Sequence, residues 1–171
     1  MKKLHRIILL QALICGVMVT PSRAADPITG NWKLDVRASK FVVGEVPKEQ
    51  TESYQVLASG EIEMVLTRVA SDGTNSTVRL TWPAAGGVVQ DPAGALGKGK
   101  SAVESMLGPG DWLVIFLDNG RQWSTMRKVI SRDGRTMTQT AKFVDARGRT
   151  LTQIQVLRRQ VPARLGEERG K

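Results

Sequence analysis

The stretch from Asp111 to Arg159 leaves few folds open. Four runs rich in β-branched, aromatic and Thr residues are separated only by Asn119-Gly120, Asp133-Gly134 and Ala146-Arg147-Gly148. Asn-Gly and Asp-Gly suit two-residue hairpin turns, whose central positions both need φ > 0. A three-residue loop ending in Gly supplies the left-handed position of a bulged hairpin. Four long strands joined by three tight turns make an antiparallel meander. The expected class is therefore all-β, an up-and-down meander that curls into a barrel of about 8–10 strands.

Turns of known length set the register, and the register sorts the side chains. With Asn119-Gly120 as a two-residue loop, Phe116 should face Trp123, Val114 should face Thr125 and Trp112 should face Arg127. The second turn then sets Arg127 against Thr140 and Val129 against Thr138. The third sets Thr140 against Ile154 and Thr138 against Val156. A period of two places Trp112, Val114, Phe116, Trp123, Thr125 and Arg127 on one face. The other face receives Leu113, Ile115, Ser124, Met126, Met137, Gln139, Ala141, Phe143, Leu151 and Leu157. The second face holds more aliphatic and Met side chains, with Lys128 near its edge as its one charge, so it is expected to point inward. Leu113, Ile115, Met126, Met137, Phe143 and Leu151 are then the candidate lining of a ligand pocket.

Residues 1–24 read as a secretory signal. Lys2, Lys3 and Arg6 form a basic start, Ile7 to Val19 an apolar segment, and Ser22-Arg23-Ala24 a cleavage site with small residues at its first and third positions. A membrane span needs about 20 apolar residues; this run is shorter and contains Gln11, and no later segment is long enough. The expected protein is periplasmic or secreted. Removing this segment also removes His5 and Cys15, the only His and Cys in the chain. What remains offers no Cys nucleophile, imidazole base, His/Cys zinc site or disulfide. The expectation is no catalytic residues, no metal and no cofactor. Four of the 25 basic residues leave as well, so 21 face 16 acids, an ordinary surplus that points to no specific nucleic acid. Residues 25–160 are expected to form one domain, with 161–171 a frayed basic tail.

Ala25 to Thr29 lead into Gly30-Asn31-Trp32-Lys33-Leu34-Asp35-Val36, where Trp32, Leu34 and Val36 alternate with polar residues. This Gly-x-Trp opening resembles the start of lipocalins and their calycin relatives. Gly30 and Trp32 are thereby expected to close one end of the barrel. Ser39-Lys40-Phe41, Pro47-Lys48, Gln50-Thr51 and the hairpin Ser131-Arg132-Asp133-Gly134-Arg135-Thr136 resemble a group of small exported bacterial lipocalin-like proteins of mostly unknown function. The likeness covers roughly 30–57 and 111–159. It implies a barrel with an apolar lumen and no particular activity. The Thr-Asp-Tyr motif of true lipocalins is missing, and no cysteines remain for their disulfide. An Arg on the last strand covers the Trp in lipocalins; Arg158 and Arg159 are both placed to do so.

Between these ends, Gln50 to Leu57 and Glu61 to Val69 read as a hairpin looped at Ala58-Ser59-Gly60. Ser71-Asp72-Gly73-Thr74 turns into a strand from Ser76 to Trp82. Glu52, Glu61 and Glu63 raise the thought of a carboxylate pair, but alternating Glu on a strand marks its solvent side. Residues 83–110, dense in Gly and Pro, read as an insert or lid. Within it Ser101 to Leu107 has a capping-box pattern and suggests a helical turn folded over the aromatic face. Gly94 to Ser101 matches the spacing of a phosphate-binding loop. Such a loop needs a parallel strand before it and a helix after it, so it is kept only as a weak anion site built from backbone N–H groups and two lysines.

Two functions fit. In the first, a monomeric barrel holds a small apolar or amphipathic molecule. In the second, an envelope interaction module docks through an aromatic and basic patch of Trp112, Phe116 and Trp123, should their face be outward.

Overall fold

The computed structural model describes residues 26–161, so the expected signal segment and the tail beyond Val161 lie outside the described residues. Ten strands follow in order: β1 (Gly30–Leu34), β2 (Glu49–Val56), β3 (Glu61–Val69), β4 (Asn75–Pro83), β5 (Gly86–Val88), β6 (Lys100–Gly108), β7 (Asp111–Asp118), β8 (Arg121–Ile130), β9 (Thr136–Val144) and β10 (Thr150–Gln160). All pairings are antiparallel, and β1 also pairs with β10, giving the order β4-β3-β2-β1-β10-β9-β8-β7-β6-β5. The ends of the sheet are joined by one isolated bridge, from Thr81 of β4 to Gln90 just beyond β5, with N···O distances of 3.1 and 2.7 Å. The chain is thus an all-β, up-and-down, nearly closed barrel. Its single helical element among the described residues is a 3-10 turn at Val36–Ala38.

The hairpins form where the turn residues are, with one difference in kind. Asn119 and Gly120 have φ of 48° and 78°, the pair of positive values a two-residue turn requires. At Asp133-Gly134 only the glycine is left-handed, at φ 69°. Here Ser131 pairs with Thr136 across a four-residue loop, and Gly134 N–H donates to the Ser131 carbonyl at 2.8 Å. The Asp133 carboxylate accepts from Ser131 Oγ at 2.6 Å and Arg135 N–H at 3.0 Å, bonds that hold its pKa below the usual carboxylate value. Widening a loop by one residue on each side leaves the pairing unchanged. Arg127 therefore faces Thr140, and Thr140 faces Ile154, as the shorter turn also required.

The register between β7 and β8 is the correction that matters most. Asp118 pairs with Arg121 and Leu117 with Gln122, but Phe116 pairs with Ser124. Trp123 is the extra residue of a β-bulge. Val114 therefore faces Met126 and Trp112 faces Lys128, each one residue off the expected partner. A slip of one residue exchanges the faces of a strand. The expected inner set holds for β8, β9 and β10, while on β7 it is Trp112, Val114 and Phe116 that point inward.

The stretch 83–110 is not an insert. It contributes β5 and β6 to the barrel, and Ser101 to Leu107 is strand rather than helical turn. Ala102 and Glu104 are buried at a period of two. A charged residue on the inner face broke the apolar alternation that would have identified this strand.

One end of the barrel is plugged. Trp32 is fully buried and its indole N–H donates to the Ile28 carbonyl at 2.8 Å. Because Trp32 pairs with Arg159 across β1 and β10, it is Arg159 whose guanidinium lies 4.1 Å from the indole centroid. The same guanidinium donates to the carbonyls of Pro27 and Thr29, both at 2.5 Å, and of Gly134 at 2.6 Å. Arg158 points the other way, to Asp35 at 3.2 Å. Gly30 has φ of 118°, and a Cβ there would stand 2.8 Å from the Arg159 guanidinium. Its glycine is needed both for the backbone and for the plug. Met137 and Leu157 pack in the same fully buried layer.

Candidate functional site

Above the plug the barrel encloses a cavity of about 260 Å³. Met64, Leu66, Val78, Leu80, Val89, Ala102, Val114, Phe116 and Met126 make its apolar wall, and Leu96 reaches it from the loop between β5 and β6. Its lower part is polar and holds two carboxylic acids and one lysine. Glu52, Glu104 and Lys128 are only 3%, 2% and 5% exposed.

Alternation along each strand aims these groups inward. Gln50, Glu52 and Tyr54 succeed one another at a period of two on β2, as do Met126 and Lys128 on β8 and Ala102 and Glu104 on β6. Burying a charge is costly unless it is paired and hydrogen-bonded, and most of these groups are. Glu52 accepts from Gln50 Nε2 at 3.0 Å, from the Tyr54 hydroxyl at 2.6 Å and, across the lumen, from Gln139 Nε2 at 2.7 Å. Burial pushes the Tyr54 phenol well above its usual pKa of 10, and the Glu52 charge, its hydrogen bond and Glu104 add to the effect. Lys128 Nζ donates to Glu104 Oε2 at 3.0 Å. It also sits 4.9 Å from the Trp82 ring centroid and 5.4 Å from that of Tyr54, a placement that gives an ammonium favourable contact with two ring faces. The other oxygen of the pair, Glu104 Oε1, is buried and has no hydrogen-bond partner among the described residues.

The six candidate lining residues separate cleanly. Met126 lines the cavity. Met137 faces inward but is packed beneath it with Leu157. Phe143 and its pairing partner Leu151 share the inner side near the mouth. There the bulge residue Trp123, 38% exposed, lies 6.1 Å from Phe116 and 5.9 Å from Phe143, with Lys100 Nζ 4.9 Å from its ring. Leu113 and Ile115 are corrected to the outer face. Leu113 borders a surface groove with Thr125, Arg127, Thr140 and Lys142. The same reversal takes two of the three residues of the expected aromatic docking patch inside, since Trp112 is 1% exposed and Phe116 is part of the cavity wall, and leaves only Trp123 exposed.

Glu52 is corrected from the solvent side to the lumen, where it is 3% exposed, and neither Glu104 nor Gln139 was read from the sequence as a site residue. Lys128 stood on the face expected to point inward, and that single charge was a signal: a lone lysine on an inner face needs a partner. Glu63 does lie on the outer side of β3, where Arg79 and Gln55 cover it. Their hydrogen bonds hold its pKa below the usual value.

The glycine-rich loop turns five of its N–H groups onto its own chain. Its Ala95 and Leu96 N–H groups go to the Asp91 carboxylate at 2.9 and 2.7 Å, and those of Gly94, Gly97 and Lys100 go to carbonyls of the loop itself. Ser101 continues into a strand rather than a helix. A groove of about 610 Å³ opens at the plugged end beside Val56, Ala84, Met106 and Pro109. It meets the lumen residues only at Tyr54 and gathers none of the buried charges, so the lumen is the stronger candidate. Among the described residues no three His, Cys, Asp or Glu side chains gather as a metal site, and no helix is long and apolar enough to cross a membrane.

No protein-family model matches the chain, and no curated protein matches it. Solved structures do. A point mutant of the fluorescent protein UnaG aligns over 80% of this chain and 98% of its own, with a TM-score of 0.56 at 12% identity. Wild-type UnaG aligns over 77% and 96%, with a TM-score of 0.53 at 13% identity. A zebrafish ileal bile acid-binding protein complexed with cholic acid aligns over 78% and 99%, with a TM-score of 0.49 at 12% identity. The likeness is one of fold: the chain has the architecture of calycin and lipocalin-like barrels.

Proposed function

We propose that this chain is an exported, monomeric lipocalin-like barrel that holds a small apolar or amphipathic molecule in its lumen and catalyses no reaction. The observation that carries this reading is the cavity itself, an apolar chamber over a floor of convergent polar groups. Ligand pockets have that composition, with a few placed polar groups fixing orientation, and occupy about 300–1,000 Å³. At about 260 Å³ the chamber favours a compact or slender occupant. Export is supported by the basic and apolar pattern of residues 1–24.

The test is titration with N-phenyl-1-naphthylamine, a neutral dye whose emission rises in apolar surroundings. Micromolar binding is expected. Met126→Trp, which fills the chamber from its wall, should abolish it with the fold intact by circular dichroism. Leu113→Trp, on the outer face, should leave it unchanged. Absence of dye binding, or equal effects of the two substitutions, would overturn the reading.

A further inference from the structure

The proposal above leaves the chemistry of the ligand open, and the floor of the lumen narrows it. The floor is uneven in its bonding. Glu52 is provided for, with three neutral donors on its two oxygens. Lys128 is provided for, with a carboxylate oxygen and two aromatic faces. Glu104 is not. One of its oxygens takes the Lys128 ammonium, and the other is buried with nothing donating to it among the described residues. Leaving a buried carboxylate oxygen unmatched is costly, so native structures seldom do so without a ligand, ion or water as partner.

What would suit that oxygen follows from the groups around it. A carboxylate oxygen only accepts, so the partner must donate. The buried floor carries two acidic side chains, Glu52 and Glu104, against one basic one, Lys128, so a cationic donor suits it better than a neutral one. A charge-assisted hydrogen bond is also roughly twice as strong as a neutral one. The remaining cation on the wall, Arg68, is half-buried near the mouth, where its guanidinium donates to the Glu45 carbonyl at 2.5 Å. An anionic head would meet Glu52 and Glu104 and find the nearest ammonium already engaged.

We propose that the occupant of the lumen is an amphipathic amine, whose protonated head donates to Glu104 Oε1 while its apolar body rises along Leu80, Met126 and Phe116. The inference rests on the lumen being a binding site, and its test separates the two ideas. Bound N-phenyl-1-naphthylamine is displaced by n-octylamine, n-octanol and octanoate at pH 7.5, three competitors of one length that differ in the head. Octylamine is expected to displace the dye at concentrations at least tenfold lower than either of the others. Equal potency of octanol would mean that the head is not recognised, and greater potency of octanoate would mean that Lys128 is the anchor; either overturns the proposal with the lumen reading intact. Failure of the dye itself to bind would overturn both.

Two variants locate the recognition. Glu104→Gln with Lys128→Met removes both members of the pair, so no buried charge is left alone, and should bring octylamine to within about threefold of octanol. Glu52→Gln should keep most of the preference. The reverse pattern would assign the site to Glu52 and overturn the role of Glu104. If the double variant does not bind the dye, Lys128→Gln alone decides: it leaves Glu104 with no internal cation and should strengthen octylamine binding, whereas a weakening would overturn the proposal.

Discussion

Replacing Arg159 with Ala tests whether the plug at the closed end is a stabilising unit. The guanidinium spans three carbonyls, Pro27, Thr29 and Gly134, that belong to two separate segments of chain, and its face covers Trp32. A hydrogen bond to a charged group contributes about 1.5–3 kcal/mol when dry. Arg159 is only half-buried, and water can replace part of each bond, so about 0.7–1 kcal/mol apiece is a fairer figure. The contact over the indole adds about 0.5–1 kcal/mol. These effects act on one group and do not simply add, which puts the cost of Arg159→Ala at about 3 kcal/mol. For a chain of this size that corresponds to a melting temperature lower by roughly 6–12 °C. Urea unfolding followed by Trp emission would measure it, with an unchanged slope showing that the same surface is exposed. Arg159→Lys keeps the charge but cannot form the three-way fork, so it should recover less than half of the loss. Arg158→Ala is the internal control, because its bonds to Asp35 and Thr136 lie at the surface and should be worth about 1 kcal/mol or less. If Arg159→Ala cost no more than Arg158→Ala, the guanidinium would be an ornament of the fold and the reasoning wrong.

Gly134→Ala should destabilise the barrel by about 1 kcal/mol through its left-handed backbone alone. Nothing lies within 4 Å of where the methyl would go, so an unchanged urea midpoint would contradict the backbone argument without a packing excuse. Tyr54 is the only tyrosine in the chain, and absorbance at 295 nm reads its ionisation in isolation. Its folded pKa is raised, so its contribution is fully present below pH 10 and is lost as pH rises, by up to about 1.4 kcal/mol per pH unit above 10. Tyrosinate should appear together with loss of the Trp emission signal of the folded state; a titration near pH 10 in folded protein would refute the buried hydrogen bond to Glu52.

The parts of this fold that could be read directly are those written in backbone chemistry. Asn119-Gly120 and Ala146-Arg147-Gly148 dictate where the chain reverses, whatever surrounds them. Even the misjudged turn at Asp133-Gly134 preserved the pairing of β8 with β9, because its four-residue form is the two-residue form widened symmetrically. Trp32 was legible for a related reason: Gly30 marks a special backbone position, and a large side chain two residues on has one place to go. Which arginine covers it was not legible, since Arg158 and Arg159 are adjacent and their directions depend on the pairing of β10 with β1.

Telling inside from outside is a different kind of inference, and in this barrel it was weakest at the site. Parity divides a strand into two sets but does not say which is inner; hydrophobicity must decide. On β7 the sets are Leu113, Ile115 and Leu117 against Trp112, Val114 and Phe116, equally apolar, so the only information came through the register from β8. Trp123 broke that register, because a bulge inside an otherwise regular strand has no marker such as the glycine that marks a turn. On β2 and β6 hydrophobicity pointed the wrong way, since the inner face carries Glu52 and Glu104. At the plugged end the interior is packed core, and Trp32, Met137 and Leu157 obey the rule that apolar residues face inward. In the lumen the inner face borders a cavity, and its floor is made of polar side chains bonded to one another, Glu52 to Gln50, Tyr54 and Gln139 and Lys128 to Glu104. The polar residues that obscure the pattern in the sequence are therefore the ones that form the floor of the chamber.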